Sequence, residues 1–247
     1  MPIAFPINLT LGAIVIPAHP IFEILAFFVG IRYYLHLKSK QGDRLEGINR
    51  LWVILGAMIG SLFGSRLLGT LNDPVQFFSP PNPLYFLEAR TIVGGLLGGM
   101  IGVEVMKWCV KEKQSSGDLF VFPLVVAIGI GRIGCFLTGV SDATSGLPSS
   151  LPWAFPQGDG IPRHPTALYE IIFLIGLFFL LNYLQGTIKL KSGGLFKLFM
   201  VFYLLFRLCI DFIKPANPLV ESFSSIQVAC ILGLLYYLAI AVKQKGF

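Results

Sequence analysis

Residues 119–137 read LFVFPLVVAIGIGRIGCFL, and residues 138–153 continue TGVSDATSGLPSSLPW. The first stretch is almost wholly apolar. It is close to the ~20 residues that a helix needs to cross ~30 Å of hydrocarbon. It nevertheless carries a permanent charge, Arg132. A charged side chain in hydrocarbon costs about 2.5–3.5 kcal/mol on insertion scales, so it normally faces a bundle interior or water. The second stretch, rich in Gly, Ser, Thr and Pro, ends at Trp153, a residue type enriched at membrane–water interfaces. Together they read as a membrane span with a deliberate cation near one end, followed by an irregular connection.

The rest of the chain has the same character. Of its 247 residues 55% are hydrophobic and 13% charged, where a soluble fold carries about 25% charged residues. The mean hydropathy is +0.75. The fold class expected is an all-α integral membrane protein, a single bundle over 1–247 with no soluble domain. Seven spans are expected, at 20–37, 50–71, 91–110, 119–138, 166–185, 194–213 and 223–243. The first is short and could extend back into LGAIVIP (11–17). The start of the chain lacks a basic n-region and a small-residue cleavage site, so no cleaved signal peptide is expected. The net charge of +6 does not indicate nucleic acid, because the basic residues cluster in short connections between apolar runs. Cys109, Cys135, Cys209 and Cys230 form no CxxC pair, so neither a disulfide framework nor a zinc site is expected.

The basic residues also suggest an orientation. Lys38, Lys40, Arg44 and Arg50 follow the first span, and Lys107, Lys111 and Lys113 end the third. Lys189, Lys191 and Lys197 lie between the fifth and sixth, and Lys243 and Lys245 close the chain. These are alternate connections, which the positive-inside rule makes cytoplasmic. The N-terminus is then outside and the C-terminus inside. The connections 72–90, 139–165 and 214–222 face outward.

Several charges stand apart from this pattern: Arg66, Arg90, Arg132, Arg163, Arg207 and Lys214, with Glu23 near the outer end of the first span. The spacing of four and then three puts Arg207, Asp211 and Lys214 on one helix face. Internal pairing and snorkelling are the simpler account of each one. As a set at similar depth they hold more positive than negative charge, which suits an anionic ligand. A phospholipid headgroup is the natural anion there, and the arginine fork matches phosphate. Gly56, Gly60 and Gly64, and Gly94, Gly98 and Gly102, recur every four residues, the pattern of close helix packing.

The motifs GRIGCFLTG (131–139), GLPSSLPW (146–153) and RHPTALYE (163–170) resemble the prolipoprotein diacylglyceryl transferase family. GSRL (64–67), GGLLGG (94–99), RLCIDFIK (207–214) and SIQ (225–227) extend the resemblance along most of the chain. It implies a phosphatidylglycerol-dependent transferase of the bacterial inner membrane, with multiple spans and no cofactor or metal. The diacylglyceryl group passes to a cysteine thiol of a preprolipoprotein, beside its signal peptide, and glycerol phosphate is released. The chain is read as a monomer. Carried over by motif, Arg132 is the signature arginine, Gly146 the loop glycine and Arg207 the sixth-span arginine.

The chain also departs from the family pattern. Asp211 stands where Glu is usual and Lys214 where Arg is usual. Cys135 replaces Asn, and Thr138, Gly139 and Val140 replace Asn-Gly-Glu. Val93 replaces a His, and Glu23 stands at a Tyr position. These changes bear on the acceptor more than the donor, so a related acceptor other than the standard lipobox cysteine stays open.

Displacement at a carbon bearing a phosphate ester needs cations at the departing phosphate, and a base, because the thiolate is the reactive form of a thiol. Arg132, Arg207, Glu23 and Asp211 form the expected catalytic set. Arg66, Cys135, Gly139, Gly146, Arg163, His164, Tyr169, Glu170 and Lys214 form the expected substrate-binding set. Glu23 and His164 are the candidate bases; His164 could equally help to cap the fifth span. Tyr169 and Glu170 could orient headgroup or acceptor, Cys135 is more plausibly an inert buried thiol than a nucleophile, and loop 139–165 would roof Arg132. A catalytically altered, phospholipid-binding paralogue and a lipid transporter are the alternatives. A transporter, however, calls for midplane charges and repeated halves, and neither is visible here.

Overall fold

The computed structural model describes residues 5–12, 14–43, 45, 47–73, 83–142, 145–215 and 223–244. Arg44, Lys245, and parts of the three long connections (74–82, 143–144 and 216–222) lie outside the described residues. Helices occur at all seven expected positions, and six are long and apolar enough to cross a membrane. The exception, Gly194–Ile210, has 17 residues, or roughly 26 Å at 1.5 Å per residue. The chain's contacts gather it into two compact units.

The first unit comprises residues 1–42, 117–190 and 212–215. It opens with an antiparallel hairpin, β1 (Asn8–Leu11) and β2 (Ile14–Pro17), with Asn8 opposite Pro17. The first helix therefore does not extend back into 11–17. That short apolar run folds as a strand, and Gly12, at φ +63°, turns the chain. Such runs suit either element by composition; the β-branched Ile14, Val15 and Ile16 favour the strand.

Helix α1 (Ala18–Gln41) then packs along α5 (Val121–Thr138), and α5 packs against α6 (Thr166–Thr187). Tyr34 stacks on Phe120 with ring centroids 4.6 Å apart. At the other end of α1 the helices meet closely. A Cβ on Gly134 would lie 3.0 Å from Phe22 Cβ and 3.2 Å from the His19 carbonyl. The start of α1, the end of α5 and the start of α6 are thereby gathered at one end of the unit. Lys38 and Lys40 lie at the far end of α1.

The second unit comprises residues 43–116, 191–211 and 216–247. Helix α2 (Gly47–Leu71) is followed by the short α3 (Pro83–Glu88) and by α4 (Ile92–Cys109). The glycine repeats account for the α2–α4 contact. A Cβ on Gly60 would strike the Gly98 carbonyl, and one on Gly98 would strike the Gly60 carbonyl. Gly64 meets Gly94, and Gly56 meets Gly102, in the same manner. Ser61 Oγ donates to the Gly95 carbonyl at 2.6 Å. Backbones this close leave no room for a side chain, so Gly98→Val is expected to separate the helices. A loss of at least ~2 kcal/mol, the order of severe overpacking, should appear as a lowered unfolding temperature in detergent.

Helices α7 (Gly194–Ile210) and α8 (Ser225–Gln244) complete this unit around the buried Phe199, Met200, Tyr203 and Leu204. The sixth expected span ends early: Asp211–Ile213 is a 3-10 turn. Arg207, Asp211 and Lys214 therefore do not line one continuous α-helical face.

Large apolar side chains cover the outside of both units. Ile24, Phe27, Met58, Phe63, Ile172 and Val242 are all exposed. A surface of this kind is stable against hydrocarbon and not against water.

Candidate active site

In the first unit, charged and polar side chains converge where α5 ends. Arg132 lies six residues before the α5 terminus Thr138, roughly 9 Å inside the helix end. It is buried, and its Nε lies 2.9 Å from Oε2 of Glu170, which α6 presents fully buried. Two ions at this depth are held by each other, because desolvating either alone is costly. Arg132 Nη1 also donates to Cys135 Sγ at 3.5 Å.

One step further toward the end of the unit is His19. Its Nε2 lies 3.5 Å from Glu23 Oε1, and its Nδ1 lies 3.7 Å from Asp142 Oδ2 and 3.4 Å from Thr138 Oγ1. Glu23, a candidate base in the sequence, is thus a partner of His19. Residues His19 and Asp142 were not among the expected site residues. The i, i+4 spacing of His19 and Glu23 in HPIFE was the available signal.

The connection 139–165 is shaped by two glycines. Gly139 follows α5 at φ +70°, where a Cβ would run into the Gln157 carbonyl and lie 2.8 Å from Phe5 Cβ. A 3-10 turn, Gly139–Ser141, follows. Further on, β3 (Phe155–Pro156) pairs with β4 (Pro162–Arg163), and Pro148 bridges to Arg163. Gly146 sits against His164 so closely that a Cβ would strike the His164 carbonyl.

His164 turns its Nδ1 to within 3.3 Å of Tyr169 Oη, which also accepts from Trp153 Nε1 at 2.7 Å. The cap position of α6 belongs to Pro165, with no side-chain cap bond, so His164 does not cap that helix. Trp153 is exposed, as an interfacial residue should be. Gly146→Ala should displace His164 while α5 and α6 stay folded, which circular dichroism checks.

Arg163 closes the loop. Its Nη2 and Nε lie 2.6 and 2.8 Å from Asp159 Oδ2, and its Nη1 donates to the Gly146 carbonyl at 3.3 Å. The hydrogen bond from Arg163 holds the Asp159 carboxyl below its usual range. A lowered folded-state value means that the pair's contribution is present above the ordinary carboxylate range. It is lost as the pH falls through the depressed value. Hydrogen-exchange protection in 155–163 should therefore be flat near neutrality and fall only below about pH 4. Asp159→Asn should remove that acid transition.

In the second unit, Arg207 is buried near the end of α7, 3.9 Å from Asp211 Oδ1. Asp211 Oδ2 accepts a short hydrogen bond from Ser224 Oγ. Ser224 N in turn donates to Gln227 Oε1 at 2.9 Å, so the SIQ motif closes around the acid. Arg66 donates to the backbone carbonyls of Leu87 and Ala89, tying α2 to α3. Lys214 is buried in the first unit. As in the first unit, these charges lie away from the lysine-bearing ends: Lys107 closes α4 and Lys243 closes α8.

His19, Cys135 and Asp142 are the group of possible metal ligands found among the described residues.

Comparison with known proteins accords with these motifs. Residues 6–243 match the family model for prolipoprotein diacylglyceryl transferase. A phosphatidylglycerol–prolipoprotein diacylglyceryl transferase from Actinobacillus pleuropneumoniae serotype 3 is 32% identical over 238 residues, covering 88% of this chain and 83% of that protein. The protein of the same name from Glaesserella parasuis is 31% identical over 240 residues, covering 88% and 82%. One from Vibrio cholerae is 30% identical over 224 residues, covering 85% and 80%. With nearly its whole length matched, this chain belongs to the prolipoprotein diacylglyceryl transferase family.

Proposed function

We propose that this protein transfers the diacylglyceryl group of phosphatidylglycerol to a cysteine thiol of a preprolipoprotein, at the outer leaflet of the bacterial inner membrane. The observation that carries the reading is the buried Arg132–Glu170 pair at the end of α5. Its guanidinium is held by a buried carboxylate in a chain of this family.

In the reaction, the acceptor thiol gives its proton to a base, and its sulfur bonds to the glycerol carbon that bears the phosphate ester. The carbon–oxygen bond breaks, and glycerol phosphate leaves with the electron pair. Arg132 is assigned the charge that grows on that phosphate, where a preorganised cation acts without reorganisation. Glu170 keeps the guanidinium in place. Of the two candidate bases, His164 has the supporting geometry: with Nδ1–H donating to Tyr169 Oη, Nε2 carries the lone pair that accepts a proton. Gly146 and Arg163 set the position of His164. Glu23 acts on His19. On the sequence motif alone, Arg207 is assigned a further contact to the donor, with Asp211 as its partner. Arg207→Ala should raise the KM for phosphatidylglycerol.

The orientation follows the lysines, with the N-terminus outside and the C-terminus cytoplasmic. A reporter active only in the periplasm, fused after Phe247, should be silent; activity there contradicts the orientation. Function is tested by complementation. Expressed in cells depleted of their own diacylglyceryl transferase, the protein should restore growth and lipid-modified lipoproteins. Membrane-inserted protein with no rescue and no modified lipoprotein contradicts the reading.

A further inference from the structure

We propose that His19, Cys135 and Asp142 form a binding site for one divalent transition-metal ion of the zinc type, with Glu23 as the outer carboxylate that holds the histidine. The imidazole comes from the first turn of α1, the thiol from the last turn of α5, and the carboxylate from the residue after the 3-10 turn. Their ligand atoms lie within 4.8 Å of one another. Bonds of ~2.0–2.3 Å place the ligand atoms of a tetrahedral ion ~3.5 Å apart. The His19 Nδ1–Asp142 Oδ2 distance is already 3.7 Å. The sulfur lies within 4.8 Å of both.

Glu23 supplies the second, independent observation. A metal-bound histidine typically gives its other ring nitrogen to a carboxylate, which fixes both tautomer and ring orientation. The two nitrogens of His19 are divided in this way: Nδ1 faces Asp142 and Thr138, while Nε2 lies at ion-pair distance, 3.5 Å, from Glu23.

Charge balance agrees. A thiolate and a carboxylate neutralise a dication, so the ion and its ligands are together neutral. The neighbouring Arg132 has its own counter-ion in Glu170. The ligand set also selects the ion class. Calcium and magnesium take oxygen ligands, whereas a mixed sulfur, nitrogen and oxygen set suits zinc and its substitute cobalt. Three protein ligands leave one position open. Loading would pin the first turn of α1 to the last turn of α5.

The test is cobalt titration of the full-length protein in detergent, reduced and stripped with a chelator. A thiolate-to-cobalt charge-transfer band should grow, saturate at an equimolar ratio and disappear on zinc addition. Cys135→Ser should abolish the band and Cys109→Ser should keep it. Glu23→Gln should keep the band but weaken affinity about 10–100-fold. If circular dichroism shows Cys135→Ser to be unfolded, His19→Gln answers the same question through the band's loss. No band in the wild type, or a band that survives Cys135→Ser, overturns the site. The readout is spectroscopic, so its failure is separate from any failure of the transferase reading.

Discussion

Arg132→Ala is expected to lower turnover about a hundredfold or more. A preorganised donor aimed at developing oxyanion charge is worth ~3 kcal/mol in the barrier. The loss should fall mainly on kcat, because the charge at the phosphate grows in the transition state. Removing the guanidinium also strands Glu170, which is fully buried, so the variant alone conflates stability with catalysis. Arg132→Lys separates them. A lysine keeps the counter-charge for Glu170 but not the planar fork. It should unfold near the wild-type temperature and still turn over poorly. Wild-type turnover in Arg132→Ala removes the proposed role.

Glu170→Ala should be the most destabilising single change at the site. Breaking a buried ion pair from one side costs about 3–5 kcal/mol, because the remaining charge loses its partner without regaining water. Both side chains here are almost inaccessible, at 4% and 1%. The double change Arg132→Met with Glu170→Leu should recover most of that stability, since an apolar replacement of similar volume removes both desolvation costs. It should remain inactive. Thermal unfolding in detergent, read beside turnover, gives the cycle. If Glu170→Ala unfolds like the wild type, the pair does not hold Arg132.

How far the sequence carried these conclusions depended on the range of the interaction. The helix positions were legible because long apolar runs have one stable state in a membrane. The glycine repeats named the α2–α4 contact face, since the four-residue period puts the small residues on one side. Arg132 was legible as a charge that costs too much to be incidental. Its partner was less so. Glu170 was expected to orient substrate, and only the packing of α6 on α5 turns it toward Arg132. The hairpin at 8–17 was hidden because a short apolar run suits strand and helix alike. The end of α7 at Ile210 was hidden because Asp211, Phe212 and Ile213 carry no breaker. His19 and Asp142 were missed for a tertiary reason. They lie far apart in sequence, and Gly134 brings α1 and α5 together only in the fold.

Diacylglyceryl transfer from phosphatidylglycerol to a thiol is directly measurable. The most direct measurement incubates the purified full-length protein with phosphatidylglycerol and a lipobox peptide, and analyses the products by mass spectrometry. The expected products are a peptide carrying one diacylglyceryl group on its cysteine and an equal amount of released glycerol phosphate, both lost in Arg132→Ala. Folded protein that binds phosphatidylglycerol yet yields neither product would contradict it.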